Sequence, residues 1–259
     1  RFILHRAHKF TRTICLEFFG QVREAVPAIV EIKDYIDAHP LAVLAGLEHL
    51  DDRYLKAVGY ATKSKRAARP KMVLLADVVG DDENAVAQAA SEIVRLANLR
   101  SGEGFIAVSA ETRKKFWLDR ARTAAIAKHT NAFKLNEDVV VPVSRLPELI
   151  AGLESLSRDF GIPIVNFGHA GNGNIHVNLM YDSQDPKQEA NARPCLKQVF
   201  DLVIRLGGTL SGEHGIGREK RDYIALAIDP PTLDLMRRIK AQFDPKGILN
   251  PDKIFPPVT

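Results

Sequence analysis

Two histidines flank a glycine-rich tract, Gly168-His169-Ala170-Gly171-Asn172-Gly173-Asn174-Ile175-His176-Val177-Asn178, and a second such tract follows, Ser211-Gly212-Glu213-His214-Gly215-Ile216-Gly217. Imidazole and carboxylate are ligands for divalent first-row metals, and a histidine beside them is a ready acid or base. A catalytic metal site needs three protein ligands and an open position, and His169, His176 and Glu213 meet that count. His214 cannot easily share the same ion with its neighbour Glu213 from an extended chain, so it is better placed to face a substrate held there. Asn174 and Asn178 can orient ligands or substrate from behind. The glycines allow close backbone approach and positive φ.

The elements around these residues follow from periodicity. Pro163 to His169 is short and mostly apolar, Gly171 and Gly173 supply a turn, and Ile175 to Tyr181 alternates. The pair reads as a β-hairpin with Ile175, Val177, Leu179 and Tyr181 on one face and His176, Asn178 and Met180 on the other. Such a hairpin brings His169 and His176 together. Upstream, strands are expected over Thr13–Phe19, Leu41–Leu47, Lys71–Val79 and Gly104–Val108, with helices over Gln21–Ala38 and Asp81–Asn98. A helix from Glu111 to Ala127 joins this half to the next. There Asp138–Val141 is a strand, Ser144 caps a helix running to Phe160, Gln188–Leu206 is a helix, and Thr209–Ser211 is a short last strand. Each half shows the split-βαβ order, so the expected class is α+β. It consists of tandem ferredoxin-like units with an antiparallel sheet and helices on one face, plus a C-terminal helix from Pro231 to Phe243 and a tail. The expected division is 1–128, 129–228 carrying the site, and 229–259.

Composition narrows the function classes. The chain of 259 residues is 46% hydrophobic and 26% charged, with a net charge of +4. It can bury a core, and the charge is too mild to argue for nucleic acid; the basic cluster at Lys63-Ser64-Lys65-Arg66 reads as a solvated loop. Cys15 and Cys195 are far apart and no CxxC pair exists, which removes a thiolate zinc site and an iron–sulfur cluster. Unpaired cysteines suit a reducing compartment. No apolar run approaches the roughly 18 residues of a membrane span. The expectation is a cytoplasmic protein, with any hold on the inner membrane face made through partners. The start at Arg1 and the Phe255-Pro256-Pro257 ending suggest a piece of a longer polypeptide. His5, His8, His39, His49 and His129 read as structural, and Phe116 and Trp117 as core. Gly171-x-Gly173 is followed by a strand, which fails the context of a dinucleotide fingerprint, and the P-loop and GxSxG patterns are absent.

GHAGNGNIHVN, then GGTLSGEHGIGREK, then FDPKGILNPDKIF resemble the C-terminal domain of the FAD-linked oxidases. This group includes D-lactate dehydrogenases, the FAD-linked glycolate oxidases and D-2-hydroxyglutarate dehydrogenase, in the vanillyl-alcohol oxidase superfamily. Phe116-Trp117-Leu118-Asp119-Arg120 and Asp138-Val139-Val140-Val141-Pro142 extend the resemblance. It implies a cap domain over an FAD held by a separate N-terminal domain of the same polypeptide. It further implies His169, His176 and Glu213 as ligands of a divalent metal such as zinc, and His214 as catalytic base. Arg120, Lys134 and Asn178 are implied at the substrate, and Asn250 at the flavin. Ala124 stands where some dicarboxylate-using members have Thr, and Thr123 is one place off. That leans toward a short D-2-hydroxy acid such as lactate or glycolate. The implied electron acceptor is an iron–sulfur partner, a cytochrome or a quinone. Two other readings stay open from the residues: a stand-alone metal hydrolase built on the same four residues, and a non-catalytic ligand-binding ferredoxin-like module.

Overall fold

The computed structural model describes residues 4, 6–122 and 133–256. Seven strands form one antiparallel sheet: β1 (Phe10–Phe18), β2 (Val43–Asp51), β3 (Met72–Gly80), β4 (Gly102–Ala107), β5 (Phe133–Val140), β6 (Ile164–His169) and β7 (Asn174–Tyr181). Their order is β4-β1-β3-β2-β6-β7-β5. Beyond β5, Thr209 makes an isolated antiparallel bridge to Val140, where sequence suggests a strand. Outward from the central seam, β2-β3-β1-β4 and β6-β7-β5-Thr209 repeat one order. The seam pairs Glu48 with His169, His49 with Gly168 and Leu50 with Phe167.

The helices among the described residues are α1 (Val22–Ala25), α2 (Pro27–Asp37), α3 (Asp52–Ala57), α4 (Glu83–Asn98), α5 (Ala110–Arg120), α6 (Leu146–Phe160), α7 (Pro186–Arg205) and α8 (Pro230–Phe243). Pro27 splits the single helix expected over Gln21–Ala38, since its ring nitrogen cannot donate to the preceding turn. Asp82, Ser109, Asp185 and Asp229 cap their helices through side-chain oxygens. Ser144 does not cap α6; it lies in a 3-10 turn, Val143–Arg145, and Arg145 holds the cap position without a side-chain bond. α6 ends at Gly161, whose φ of 66° is left-handed. The helix joining the halves is described as Ala110–Arg120; the rest of the expected span, with Thr123, Ala124 and His129, lies outside the described residues, as does His5.

The expectation of helices on one face holds for α2, α4, α6 and α7 but not for α3 and α5. Ile14, Leu16, Leu74, Ile164, Ile175 and Val177 pack with α2, α4, α6 and α7 in the larger core. The opposite face is covered in part by α3 and α5, through Tyr54, Leu55 and Phe116 against Cys15, Leu50, Val73, Val165, Phe167 and Met180. Two polar clusters pin this second layer. Asp77 accepts from Trp117 Nε1 at 3.2 Å and Arg113 at 2.7 Å, which fixes α5. Glu17 accepts from Tyr60 Oη, Thr62 Oγ1 and the Lys63 and Ser64 backbone amides. The basic connector is therefore tied down at its start rather than freely solvated. Among the described residues, no helix is long and apolar enough to cross a membrane.

Candidate functional site

β6 and β7 deliver the two histidines. Gly173 makes their turn possible: its φ is 78°, and a Cβ there would stand 1.9 Å from the Val141 carbonyl oxygen. The strands fix side-chain direction, so His169 and His176 emerge on the sheet face that carries α5. Their rings meet edge to face at 5.3 Å between centroids.

Glu213 and His214 come from a segment without helix or strand. A single carboxylate shapes it. Asp138, fully buried on β5, accepts from the backbone N–H of Gly212 at 2.7 Å, Glu213 at 2.6 Å and His214 at 3.0 Å, and from Ser211 Oγ at 3.2 Å. Lys220 Nζ pairs with the same carboxylate and donates to the Leu210 carbonyl at 2.8 Å. Burial alone would push Asp138 up, but the Lys220 ammonium and the Glu213 and His214 amides hold its carboxyl well below the usual range.

The four groups converge. Glu213 Oε1 lies 3.3 Å from His169 Nε2 and 3.5 Å from His176 Nε2. The ligand atoms of His169, His176 and Glu213 all fall within 4.8 Å of one another. Ligands about 2.0–2.2 Å from a tetrahedral ion stand roughly 3.3–3.5 Å apart, so the donor set fits a divalent cation. A second observation agrees. Glu48 Oε1 is 2.5 Å from His169 Nδ1, and a carboxylate can only accept, so Nδ1 carries a proton and Nε2 is the atom turned to Glu213. A proton on Nε2, or a cation in its place, bridges the two atoms. His176 is 8% exposed at its side chain, and burial, then the positive charges of His169, Arg120 and His214, lower its pKa to about 4. It is neutral at neutral pH, the state that a metal ligand requires. Its ring stacks on His214 at 5.2 Å and 17°. His214 is more open, with Nδ1 3.7 Å from Asp138 Oδ1.

The remaining sequence-predicted residues divide. Arg120, at the end of α5, reaches the cluster through Glu48, with Nε 2.5 Å from Glu48 Oε2 and its guanidinium 5.0 Å from the Phe167 ring centre. Asn178 is fully buried two residues from His176; Nδ2 donates to the Val165 and His176 carbonyls, while Oδ1 has no partner among the described residues. A buried acceptor left unused beside the histidines is available to a ligand donor. Lys134 pairs with Met180 across β5 and β7 and so shares the site face, but farther along the strand and exposed; partial desolvation lowers its pKa. Asn250 stands apart, at φ 46° in a tail tied back through Asp244 to Ile248 and Leu249; no hydrogen bond among the described residues joins it to the cluster.

Sequence reasoning missed Glu48, Asp138 and Lys220 as supports. For Glu48 and Asp138 the only local signal is a carboxylate beside the apolar residues of a strand, as in Leu47-Glu48 and Asp138-Val139-Val140; Lys220 lies outside any strand and has none.

Known proteins share this sequence and fold. The family "FAD linked oxidases, C-terminal domain" matches residues 9–254. Glycolate oxidase subunit GlcD of Bacillus subtilis is 30% identical over 214 residues, 82% of this chain and 45% of its own length. The mitochondrial D-lactate dehydrogenase [cytochrome] of Kluyveromyces lactis is 30% identical over 224 residues, 82% of this chain and 38% of its own. The chain thus spans less than half the length of these curated relatives. In fold, it is similar to 4-ethylphenol oxidase from Gulosibacter chungangensis in its isoeugenol complex, with a TM-score of 0.67 and 16% identity over 96% of this chain and 55% of that one.

Proposed function

Because the chain belongs to the C-terminal domain family of FAD-linked oxidases, we propose that it is the substrate-binding cap of a larger flavoprotein that oxidises a small D-2-hydroxy acid of the lactate or glycolate type. The observation that carries this reading is the convergence of His169, His176 and Glu213 beside His214, with Arg120 held one carboxylate away. The family and the relatives' oxidation of glycolate and D-lactate, by name, support it. We read the two halves, 1–128 and 129–228, as ferredoxin-like units, which the repeated strand order supports, and 229–259 as a helix and flavin-facing tail. α8 exposes Leu235, Ile239 and Phe243 at four-residue spacing, and the tail exposes Ile248 and Leu249, a surface suited to a docked FAD-binding domain.

His169, His176 and Glu213 would hold a divalent cation, and Asn178 brings a buried amide oxygen to the same face of β7 as His176. When bound, the cation lends Lewis acidity to the substrate's α-hydroxyl and FAD supplies the two-electron acceptor. Arg120 clamps the substrate carboxylate with its guanidinium fork. His214 takes the hydroxyl proton on its ring, and stacking on neutral His176 keeps that ring in place. Lys134 adds positive charge farther along the same face, and Asn250 approaches the flavin. An iron–sulfur partner, a cytochrome or a quinone would serve the full-length flavoprotein as electron acceptor.

Two measurements test the reading. Zinc or manganese stoichiometry is determined for this chain and for its His176→Ala variant, and flavin bleaching by D-lactate and glycolate is followed in the full-length protein. One metal per chain, lost in His176→Ala, and bleaching by one of the acids are expected. Metal bound equally by both forms, or a flavin that neither acid reduces, would overturn it.

A further inference from the structure

We infer that Glu48 is a positioning residue that couples the candidate metal ligand His169 to the candidate carboxylate clamp Arg120. The inference rests on the roles proposed for those two residues. Glu48 sits on β2, directly across the central seam from His169 on β6. Its side chain is 8% exposed and lies in a strand whose neighbours Leu47, His49 and Leu50 are buried. A buried carboxylate needs donors, and both of these come from the site. Oε1 takes His169 Nδ1–H at 2.5 Å, and Oε2 takes Arg120 Nε–H at 2.5 Å.

Each bond has a consequence. The bond to Nδ1 fixes the histidine tautomer and leaves Nε2 to ligate, aimed at Glu213. The bond to Nε grips Arg120 away from its terminal amino groups, the fork that matches a substrate carboxylate. The Arg120 backbone is pinned as well, since its carbonyl accepts from Tyr54 Oη at 3.0 Å. One carboxylate therefore sets the span between the group that holds the cation and the group that holds the acid. Arg120 belongs to the first half of the chain and His169 to the second, so this span crosses the seam between them.

The chemistry of Glu48 is not replaceable by an amide. Both partners are donors, and a carboxylate offers two acceptor oxygens where glutamine offers one. In Glu48→Gln the arginine, being charged, retains the oxygen. The amide nitrogen then faces His169 Nδ1 and draws the ring proton to Nε2, the atom required as ligand. Glu48→Asp keeps the charge but is one methylene short and cannot span both partners.

The test is Zn2+ affinity of this chain by competition with a chromogenic chelator, beside Tm, for wild type, Glu48→Gln, Glu48→Asp, His169→Ala and Leu50→Ala. Glu48→Gln is expected to weaken Zn2+ binding about 10–100-fold, as loss of such a supporting bond does, with Tm close to wild type. Leu50→Ala, a purely apolar neighbour, should lower Tm and leave Zn2+ affinity unchanged. In the full-length flavoprotein, Glu48→Asp should raise KM for the hydroxy acid more than it lowers kcat. Wild-type Zn2+ affinity in both Glu48 variants, with unchanged KM, would overturn the inference; should Glu48→Gln not fold, Glu48→Asp decides alone. If His169→Ala binds Zn2+ as tightly as wild type, the ligand assignment itself fails, which is a separate result.

Discussion

His169 and His176 leave the ends of two paired strands, whereas Glu213 and His214 leave a segment with no ladder of its own. The hairpin is positioned by backbone pairing on both sides: β7 pairs with β5, and β6 with β2. The second tract is positioned from below, by Asp138 and its partner Lys220. One device spreads its support over many bonds and the other concentrates it in a single carboxylate. The concentrated device is the one to break first. Asp138→Ala leaves a buried Lys220 ammonium without its main partner and strips acceptors from three backbone amides, so a loss of about 3–5 kcal/mol is expected in chemical denaturation. Zn2+ binding should weaken with it, because Glu213 is no longer presented. A loss below about 1 kcal/mol would mean that the tract holds its shape without Asp138.

The same contrast separates the roles of the histidines. His176 is enclosed and neutral, while His214 stands at the open side of the stack. His214→Ala in the full-length enzyme should lower kcat about 10²–10⁴-fold, the usual scale of general acid–base catalysis, and leave metal content intact. Arg120→Ala should act mainly on KM, since a clamp holds ground and transition states alike. Loss of metal in His214→Ala would reassign that residue to the ion.

Sequence makes the chemistry of both tracts visible and hides their supports, for a physical reason. His169, His176, Glu213 and His214 stand among glycines, where a bulky polar residue is conspicuous. Glu48 lies in Leu47-Glu48-His49-Leu50-Asp51, where three polar residues in five look like the end of a strand, and periodicity stops it at Leu47. The strand continues because β6 arrives to cover those residues, with Asn166 bonding His49 from 117 positions away. Asp138 and Lys220 are likewise 82 positions apart. A pattern with local period cannot show a partner that only the fold supplies. The α3 helix is missed for the same reason, since Asp51 is both strand end and cap, accepting from Tyr54 N at 2.7 Å. The candidate metal-ligand trio is legible in part because its residues announce themselves; its geometry is not, because it depends on the loop that Asp138 folds.

The two supports should also part company in acid. His49, behind the hairpin seam, is fully buried, and burial lowers its pKa to about 4, against the Asn166 bond, which raises it. Its folded pKa lies below the unfolded value, so its contribution is complete above pH 6.5 and is lost as pH falls toward 4. On the order of 3 kcal/mol is at stake over that window, at about 1.4 kcal/mol for each tenfold change in proton affinity. Asp138 is also depressed, but from a carboxylate's ordinary value, so its contribution persists until pH falls below the usual carboxylate range. Asp51 in the same seam is pushed by burial up to about 7, so its protonation over this window acts in the opposite direction and the His49 contribution is read only as a difference. Denaturation at pH 7.5, 5.5 and 4.5 should show wild type losing more stability, or gaining less, than His49→Gln. Equal slopes in the two proteins would show that His49 does not set the acid response.

The mildest probe is one glycine in each tract. Gly173 and Gly215 have nearly the same left-handed φ, 78° and 80°, so an alanine meets the same intrinsic cost of about 1 kcal/mol at either position. Their surroundings differ. A Cβ at Gly173 meets the carbonyl oxygen of Val141, the residue whose N–H bonds the Gly173 carbonyl, whereas a Cβ at Gly215 meets nothing within 4 Å. Gly173→Ala must push strand backbone aside and should cost roughly 2–3 kcal/mol, at the upper end of local backbone strain, with weaker Zn2+ binding as His169 and His176 shift. Gly215→Ala should cost only the intrinsic 1 kcal/mol or so, and Asp138 should still hold Glu213 in place. The difference between the two variants, measured by denaturation at one pH, isolates what strand packing adds to the turn. Equal losses would show that the hairpin's turn is no more constrained than the tract held by a single carboxylate, and the contrast between the two devices would collapse into conformational preference alone.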